Sequence, residues 1–543
     1  YISNLSYSLA VSLKHHGKDE KFFARVKIPE IFSSWLEISK NEKTHSSRWI
    51  STQELVIQHI NELFPDMEIL ATMPFRVTRN IEVERNEESA DDLLQMIEEE
   101  LRERKFEDVV KIEHGPNPDP WLLSFLTNEL GITEHDLYQM DQQIDFTGLK
   151  PIWSINRSDL CYPPWTPLVP HDLFEEGSDL FHLMAQKDLL VHHPFESFSS
   201  SVERLISVAI EDPNVLAIKM TLYRTPEEST IAQSLIKAAE AGKQVACVIE
   251  LKARFDEQRN IAWANRMEDA GVHVGYGMVG LKVHCKTLLI VRQEGKTLKT
   301  YAHIGTGNYH SITARAYTDV GLFTSDKGIC DDLMEVFNYL TGRSLRKSYQ
   351  KLLVAPINMK IKFLDMINHE IENKKAGKDA HIIIKVNNLE DHDLVNALYE
   401  ASRAGVKVDL IVRSICTLKP NLKDHSENIR VISVVDQFLE HSRIFYFRNG
   451  KATPEAGNCF FGSADWMYRN LLARVEVITP IEDTTLKARC WEILNIYLKN
   501  QYQTWEMQPD GSYKRLHKEN GESAQKKLMK LMRERALKPK ETR

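Results

Sequence analysis

His284-Cys285-Lys286-Thr287-Leu288-Leu289-Ile290-Val291 sets a histidine and a lysine two positions apart at the head of an apolar run. The chain repeats the pattern as His441-Ser442-Arg443-Ile444-Phe445-Tyr446-Phe447-Arg448. In a β-strand such a pair points to one face. The companions repeat too. Gly305-Thr306-Gly307-Asn308 and Asp319 follow the first histidine; Gly462-Ser463-Ala464-Asp465 and Glu476 follow the second. The pairs 284/441, 286/443, 305/462, 308/465 and 319/476 are all separated by 157 residues, with no insertion. Upstream, Lys219 answers Lys385 at an offset of 166, and Ala241-Gly242 answers Ala404-Gly405 at 163. We read a duplicated α/β unit whose copies pack about a pseudo-twofold axis, so that a His-x-Lys and a His-x-Arg meet at one site.

Around this repeat, strand-like runs occur at 215–219, 245–250, 287–291 and 319–323, with a helix at 231–241 closed by Gly242. The second copy shows runs at 381–385 and 408–412 around a helix from about His392 to Ala404. Continuous apolar runs separated by helices predict a largely parallel sheet covered on both faces. Residues 1–170 differ: short apolar alternations such as Phe22–Ile28 precede an acidic, helix-patterned stretch. Pro163, Pro164, Pro167 and Pro170 mark the boundary. The expected domains are 1–170, 171–355 and 356–543, the last ending in a basic, partly helical tail that is read equally as a solvated helix or a polyanion-guiding surface.

The composition fits a globular protein: 543 residues, 42% hydrophobic and 27% charged, with no apolar run long enough to span a bilayer. Seven scattered cysteines form no CxxC pair, which argues against zinc or a disulfide framework and fits a reducing cytosol. The start Tyr1-Ile2-Ser3 carries no methionine or signal peptide and reads as the edge of a fragment. The net charge of −8 argues against a polyanion partner, nucleic acid included. Regional sums weaken that inference: residues 81–110 hold twelve acids and four bases, while 512–543 hold eleven bases and four acids.

The repeated set suits phosphorus chemistry. Imidazole can attack phosphorus, and an adjacent cation stabilises charge on the equatorial oxygens. A Gly-Thr-Gly-Asn turn lets backbone N–H groups approach an anion. A second histidine can protonate or orient a leaving oxygen, and an acid in each copy can fix a ring tautomer. Arg224, Arg254 and Arg413 follow three strand ends, where ligands of open α/β sheets bind, and arginine suits phosphate. Symmetry alone leaves open which histidine is the nucleophile. Lys286 and Asn308 in the first copy, against Arg443 and Asp465 in the second, favour the first as the phosphate cradle.

The chain resembles the long-form polyphosphate kinase family of bacteria. The resemblance rests on Tyr1–Ser6, Pro74–Asn80, His192–Phe198, Ala217–Thr225, Glu250–Glu257, Gly305–Tyr309, Phe438–Ile444 and Gly462–Met467, and spans nearly the whole chain. It implies an α+β head followed by two phospholipase D-like α/β domains, without the family's N-terminal helical domain. It further implies reversible transfer of the ATP terminal phosphate to polyphosphate, with Mg²⁺, through a phosphohistidine. By motif position, His284 would carry the phosphate and His441 would lie near the nucleotide phosphates. Tyr317 would stack on adenine, Arg413 would contact nucleotide phosphate, and Glu476 would sit near the second histidine. Arg224 and Arg254 match positions associated with magnesium; a guanidinium has no lone pair to give a cation, so they are expected to hold the phosphates that carry it. A cytoplasmic homodimer or homotetramer is implied, with peripheral membrane association left open.

A phospholipase D-type phosphodiesterase or nuclease is the alternative. Its usual motif, His-x-Lys-x₄-Asp, fails in both copies, where the Asp position holds Val291 and Arg448. No Gly-x₄-Gly-Lys-Ser/Thr loop is present, which disfavours a P-loop kinase. His192-His193-Pro194-Phe195 reads as a strand rather than a metal site. Trp466 and Tyr468 read as core or site wall rather than ligand stackers.

Overall fold

The computed structural model describes residues 1–41, 46–80, 96–97, 99, 102–141, 147–153, 155, 157–170, 173, 179–223, 225–226, 228–253, 256–278, 280–342, 348–517 and 521–537. The chain divides into two compact units, Tyr1–Pro163 and Pro164–Arg543, with the division inside the proline cluster. Most of the acidic stretch 81–110, Asp91–Gln95 included, lies outside the described residues.

The first unit is built on a five-stranded sheet in the order Lys21–Lys27, Tyr7–His15, Met67–Arg79, Val109–His114, Leu137–Gln139. All pairings are antiparallel except the last. The strand Tyr7–His15 is buried on both faces, so its sequence does not alternate. Leu9, Val11 and Leu13 pack with Ile28 and Ile60, and Ala10 with Met73, Phe75 and Ile112. The helix Pro120–Leu130 covers the latter face through Leu122 and Leu126. It is capped by Asp119 at its start and by left-handed Gly131 at its end.

The second unit contains both copies. In the first, the strand order is His273–Gly275, Gln244–Ile249, Val215–Leu222, Lys286–Glu294, Thr297–Gly305, Tyr317–Thr324. In the second it is Ile429–Val434, Lys407–Val412, His381–Val386, Ile444–Phe447, Asn458–Gly462, Arg474–Ile481. Each sheet is mixed, which corrects the expectation of a largely parallel one. Three strands are parallel, and the strand that follows each histidine and its two successors are antiparallel. The cause is local. The turn at Gly295 folds Lys286–Glu294 directly back onto Thr297–Gly305, whose polar start hides it as a strand. The expected helices are present as Thr230–Glu240 and His392–Arg403, each followed by a glycine with positive φ, Gly242 and Gly405.

The copies also exchange backbone. Lys282-Val283, just before the first histidine, pairs in parallel with Arg474-Val475 of the second copy. Leu439-Glu440, just before the second histidine, pairs in parallel with Tyr317-Thr318 of the first. Both pairings obey the 157-residue offset. So do the helices that follow, Lys327–Leu340 and Thr484–Leu498, which are N-capped by Asp326 and Asp483. One apolar core runs through both copies, from Leu289, Ile304 and Leu333 to Ile444, Phe461 and Leu494. The C-terminal segment is a packed helix, Ala524–Leu537, that buries Leu528 and Met532 in this core. Of the two readings of the tail, a fully solvated helix is therefore excluded over this span.

Candidate active site

The backbone exchange dictates how the site is wired. Each histidine stands where its strand leaves the other copy's acid-bearing strand, so each takes its acid from across the seam. His284 Nδ1 lies 2.8 Å from Glu476 Oε1 and 2.9 Å from Oε2. His441 Nδ1 lies 2.8 Å from Asp319 Oδ1. Glu476, expected beside the second histidine, therefore holds the first, because Arg474–Ile481 pairs with the segment leading into His284.

Each acid is fixed by further donors. Ser463 and Asn470 donate to Glu476, Asn470 at 2.6 Å. Thr306 donates to Asp319 at 2.6 Å. Gly307 explains itself here: an added Cβ would run into the Asp319 carboxylate. The third position of the Gly-Thr-Gly-Asn turn must be bare to admit the acid, whatever its backbone N–H offers an anion.

Burial lowers the pKa of His284, and Lys286 and Arg474 add to this against the pull of Glu476. Burial would raise Glu476, but the His284 ring, Lys286 and Arg474 outweigh it and hold the carboxyl below its usual range. The second pair follows suit. Burial, Arg443 and Arg413 lower His441 against the pull of Asp319. Asp319 is lowered by the ring, Thr306 and Arg443 despite burial. Both rings are neutral at physiological pH, with Nδ1–H donated to a carboxylate and the Nε2 lone pair directed away from it.

The two lone pairs meet different surroundings. Arg443 Nη1 lies 3.2 Å from His441 Nε2. Arg443 also reaches Asp465 Oδ2 at 3.2 Å and the Thr306 carbonyl at 3.2 Å. No described residue bonds His284 Nε2. Its ring is met edge-on by Tyr223 at 4.9 Å between centroids, and Lys286 Nζ lies 5.1 Å from the Tyr223 ring centroid while donating to the His284 carbonyl. Burial lowers Lys286 to about 7. Tyr223 escaped the reading of the sequence. It lies inside the quoted 217–225 stretch, but a lone tyrosine one residue past a strand carries no spacing signal.

The nucleotide-side candidates gather on the second histidine. Tyr317 lies 5.2 Å from the His441 ring between centroids. Arg413 donates to the Glu440 carbonyl at 2.8 Å and feels the charges of Arg443, Asp465, Tyr317 and Asp319. Asn308 lies at the end of the glycine turn, its Oδ1 buried and without a hydrogen-bond partner, whereas its counterpart Asp465 is taken by Arg443 and the Asn387 N–H. Arg224 and Arg254 lie outside the described residues. Of His192-His193-Pro194-Phe195, expected as a strand, the two histidines close the strand Leu189–His193, and Pro194 and Phe195 turn out of it. Trp466 is core, stacked on Phe445 at 5.7 Å. Tyr468 is 63% exposed, so of the two expected places, core or site wall, the core is excluded. Among the described residues no helix is long and apolar enough to cross a membrane.

Known proteins share this architecture. The sequence matches the polyphosphate kinase middle domain over residues 1–152. It matches that kinase's C-terminal domains 1 and 2 over 179–346 and 352–527. It is 45% identical to a polyphosphate kinase of Synechocystis over 535 residues, covering 94% of this chain and 73% of the relative. A Streptomyces coelicolor polyphosphate kinase is also 45% identical, over 95% of this chain and 68% of its own length. The crystal structure of polyphosphate kinase from Porphyromonas gingivalis superposes with a TM-score of 0.83 at 30% identity, covering 99% of this chain and 79% of that one.

Proposed function

The chain belongs to the polyphosphate kinase family, and from that premise we propose that it transfers the terminal phosphate of ATP reversibly to inorganic polyphosphate through a phosphate on His284. The observation that supports the assignment is the difference between the two Nε2 atoms: that of His284 bonds no described residue, whereas that of His441 faces Arg443 at 3.2 Å. In the first step His284 Nε2 attacks the γ-phosphorus, an N–P bond forms, and the bond to the ADP oxygen breaks with its electron pair leaving on ADP. Glu476 holds the Nδ1 proton and stabilises the positive ring. In the second step a terminal oxygen of polyphosphate attacks the same phosphorus and the imidazole departs neutral. Lys286 and Arg443 offset the charge on the transferring group, in keeping with the loose transition state of such reactions. His441, Arg413 and Tyr317 hold the nucleotide.

Magnesium is implied by the family. Asp319, Asp465 and Glu476 are taken up by His441, Arg443 and His284. The described residues contain no group of three acidic, thiol or imidazole side chains able to hold a cation. These residues do not fit a protein-built cage.

Incubation with γ-labelled ATP yields an acid-labile, base-stable phosphoenzyme and long-chain polyphosphate. His284→Ala removes both although the chain still folds. Label that persists in His284→Ala refutes the assignment, and hydrolysis of lipid or DNA phosphodiesters would favour the alternative.

A further inference from the structure

Glu440, the residue before the second histidine, is a buried acid at a position that is apolar in the other copy. Its counterpart is Val283, buried against Val475; Glu440 is instead set opposite Thr318. The hydroxyl of Tyr497 donates to Glu440 Oε1 at 2.9 Å, and the counterpart of Tyr497 is the buried Leu340. The fold thus accepts apolar side chains at all three of these places. A buried ion pair is often replaceable by apolar groups without loss of stability, so stability alone does not account for the polar set.

The network is fully partnered. Glu440 Oε2 accepts from Lys385 Nζ at 2.8 Å and Thr318 Oγ1 at 2.9 Å. Its Oε1 accepts from Tyr497 and, at 2.7 Å, from Gln525 Nε2. Gln525, in the first turn of the C-terminal helix, also grips the Phe438 backbone on both sides, each bond 2.8 Å. Thr318 Oγ1 accepts the His441 N–H at 3.2 Å, and the Glu440 carbonyl accepts Arg413. One acid is therefore tied to the backbone of His441, to the strand that carries Tyr317 and Asp319, and to Arg413. Its far side is anchored by the C-terminal helix.

We propose that Glu440 and Gln525 are positioning residues for nucleotide binding, through which the C-terminal helix sets His441, Tyr317 and Arg413 in register. The proposal rests on the reading that those three hold the nucleotide. Two variants of the full chain test it. Gln525→Ala releases the helix from the Phe438–Glu440 segment. Thr318→Val, near-isosteric and matching Val475 at the equivalent place in the other copy, removes the hydroxyl that links Glu440 to the His441 N–H. Each raises KM for ATP about tenfold, the size of one or two lost hydrogen bonds, with kcat within about twofold and full labelling of His284 at saturating ATP. Thr318→Val loses no more stability than one or two buried hydrogen bonds supply and stays folded in the assay. A fall in kcat at unchanged KM, in step with lost folded protein, overturns the proposal, as does no change in either constant. Absence of label in the unsubstituted chain overturns the functional reading itself.

Discussion

A histidine can accept a phosphoryl group only while its lone pair is free, and position 284 secures this by burial together with a carboxylate on the opposite nitrogen. The cation beside it has a different vulnerability. Lys286 is held near 7 by burial. It is charged below that pH and neutral above it, so a site empty of phosphate loses positive charge as pH rises. We expect kcat/KM, which reports the free enzyme, to fall as pH rises through about 7. Lys286→Arg should move that limb upward, because a guanidinium stays charged; a pH profile of the two proteins checks it. The His-x-Lys pair was legible in the sequence because its spacing is short and repeated. The partner of His284 was not: Glu476 lies 192 residues away, and only strand pairing decides which histidine it meets.

At the scale of elements, helix spacing and glycine stops located Thr230–Glu240 and His392–Arg403 well. The antiparallel return Thr297–Gly305 was missed because Thr297, Lys299 and Thr300 interrupt its apolar pattern. The C-terminal helix was read from its charge, whereas Leu528 and Met532, four residues apart on one face, bind it to the core. Leu528→Ala should cost about 2–5 kcal/mol, the range for a fully buried leucine, read as a lowered midpoint in urea. An unchanged midpoint would mean that the helix is not docked.

Across the molecule, charge that looked unfavourable to a polyanion turns out to be segregated. Lys286, Arg443 and Arg413 share the seam between the copies, while Glu476 and Asp319 there are committed to histidines, Asp465 to Arg443 and Glu440 to Lys385. The same groups make the fold acid-sensitive. His284 and His441 are depressed as bases, and Glu476 and Asp319 as acids. In every case the unfolded chain binds protons that the folded chain refuses. Stability therefore rises with pH through the interval between the depressed values and the ordinary ones, near 6.5 for histidine and near 4 for the acids. The melting temperature of the second unit should fall steadily as pH is lowered from 6.5 towards 4; a flat profile over that range would contradict the buried dyads.

The crossed pairing of histidines and acids also bears on origins. A single unduplicated half with this geometry would own an imidazole and a carboxylate that cannot reach each other, and its only complete centres would arise between two identical molecules. Two such halves would form a symmetric dimer with two equal centres. Joining the halves in one chain removes the demand for equality. One centre is then free to keep a lysine and an open nitrogen, and the other to take an arginine that closes it. Carrying both halves in one chain is what lets the surroundings of the two histidines differ.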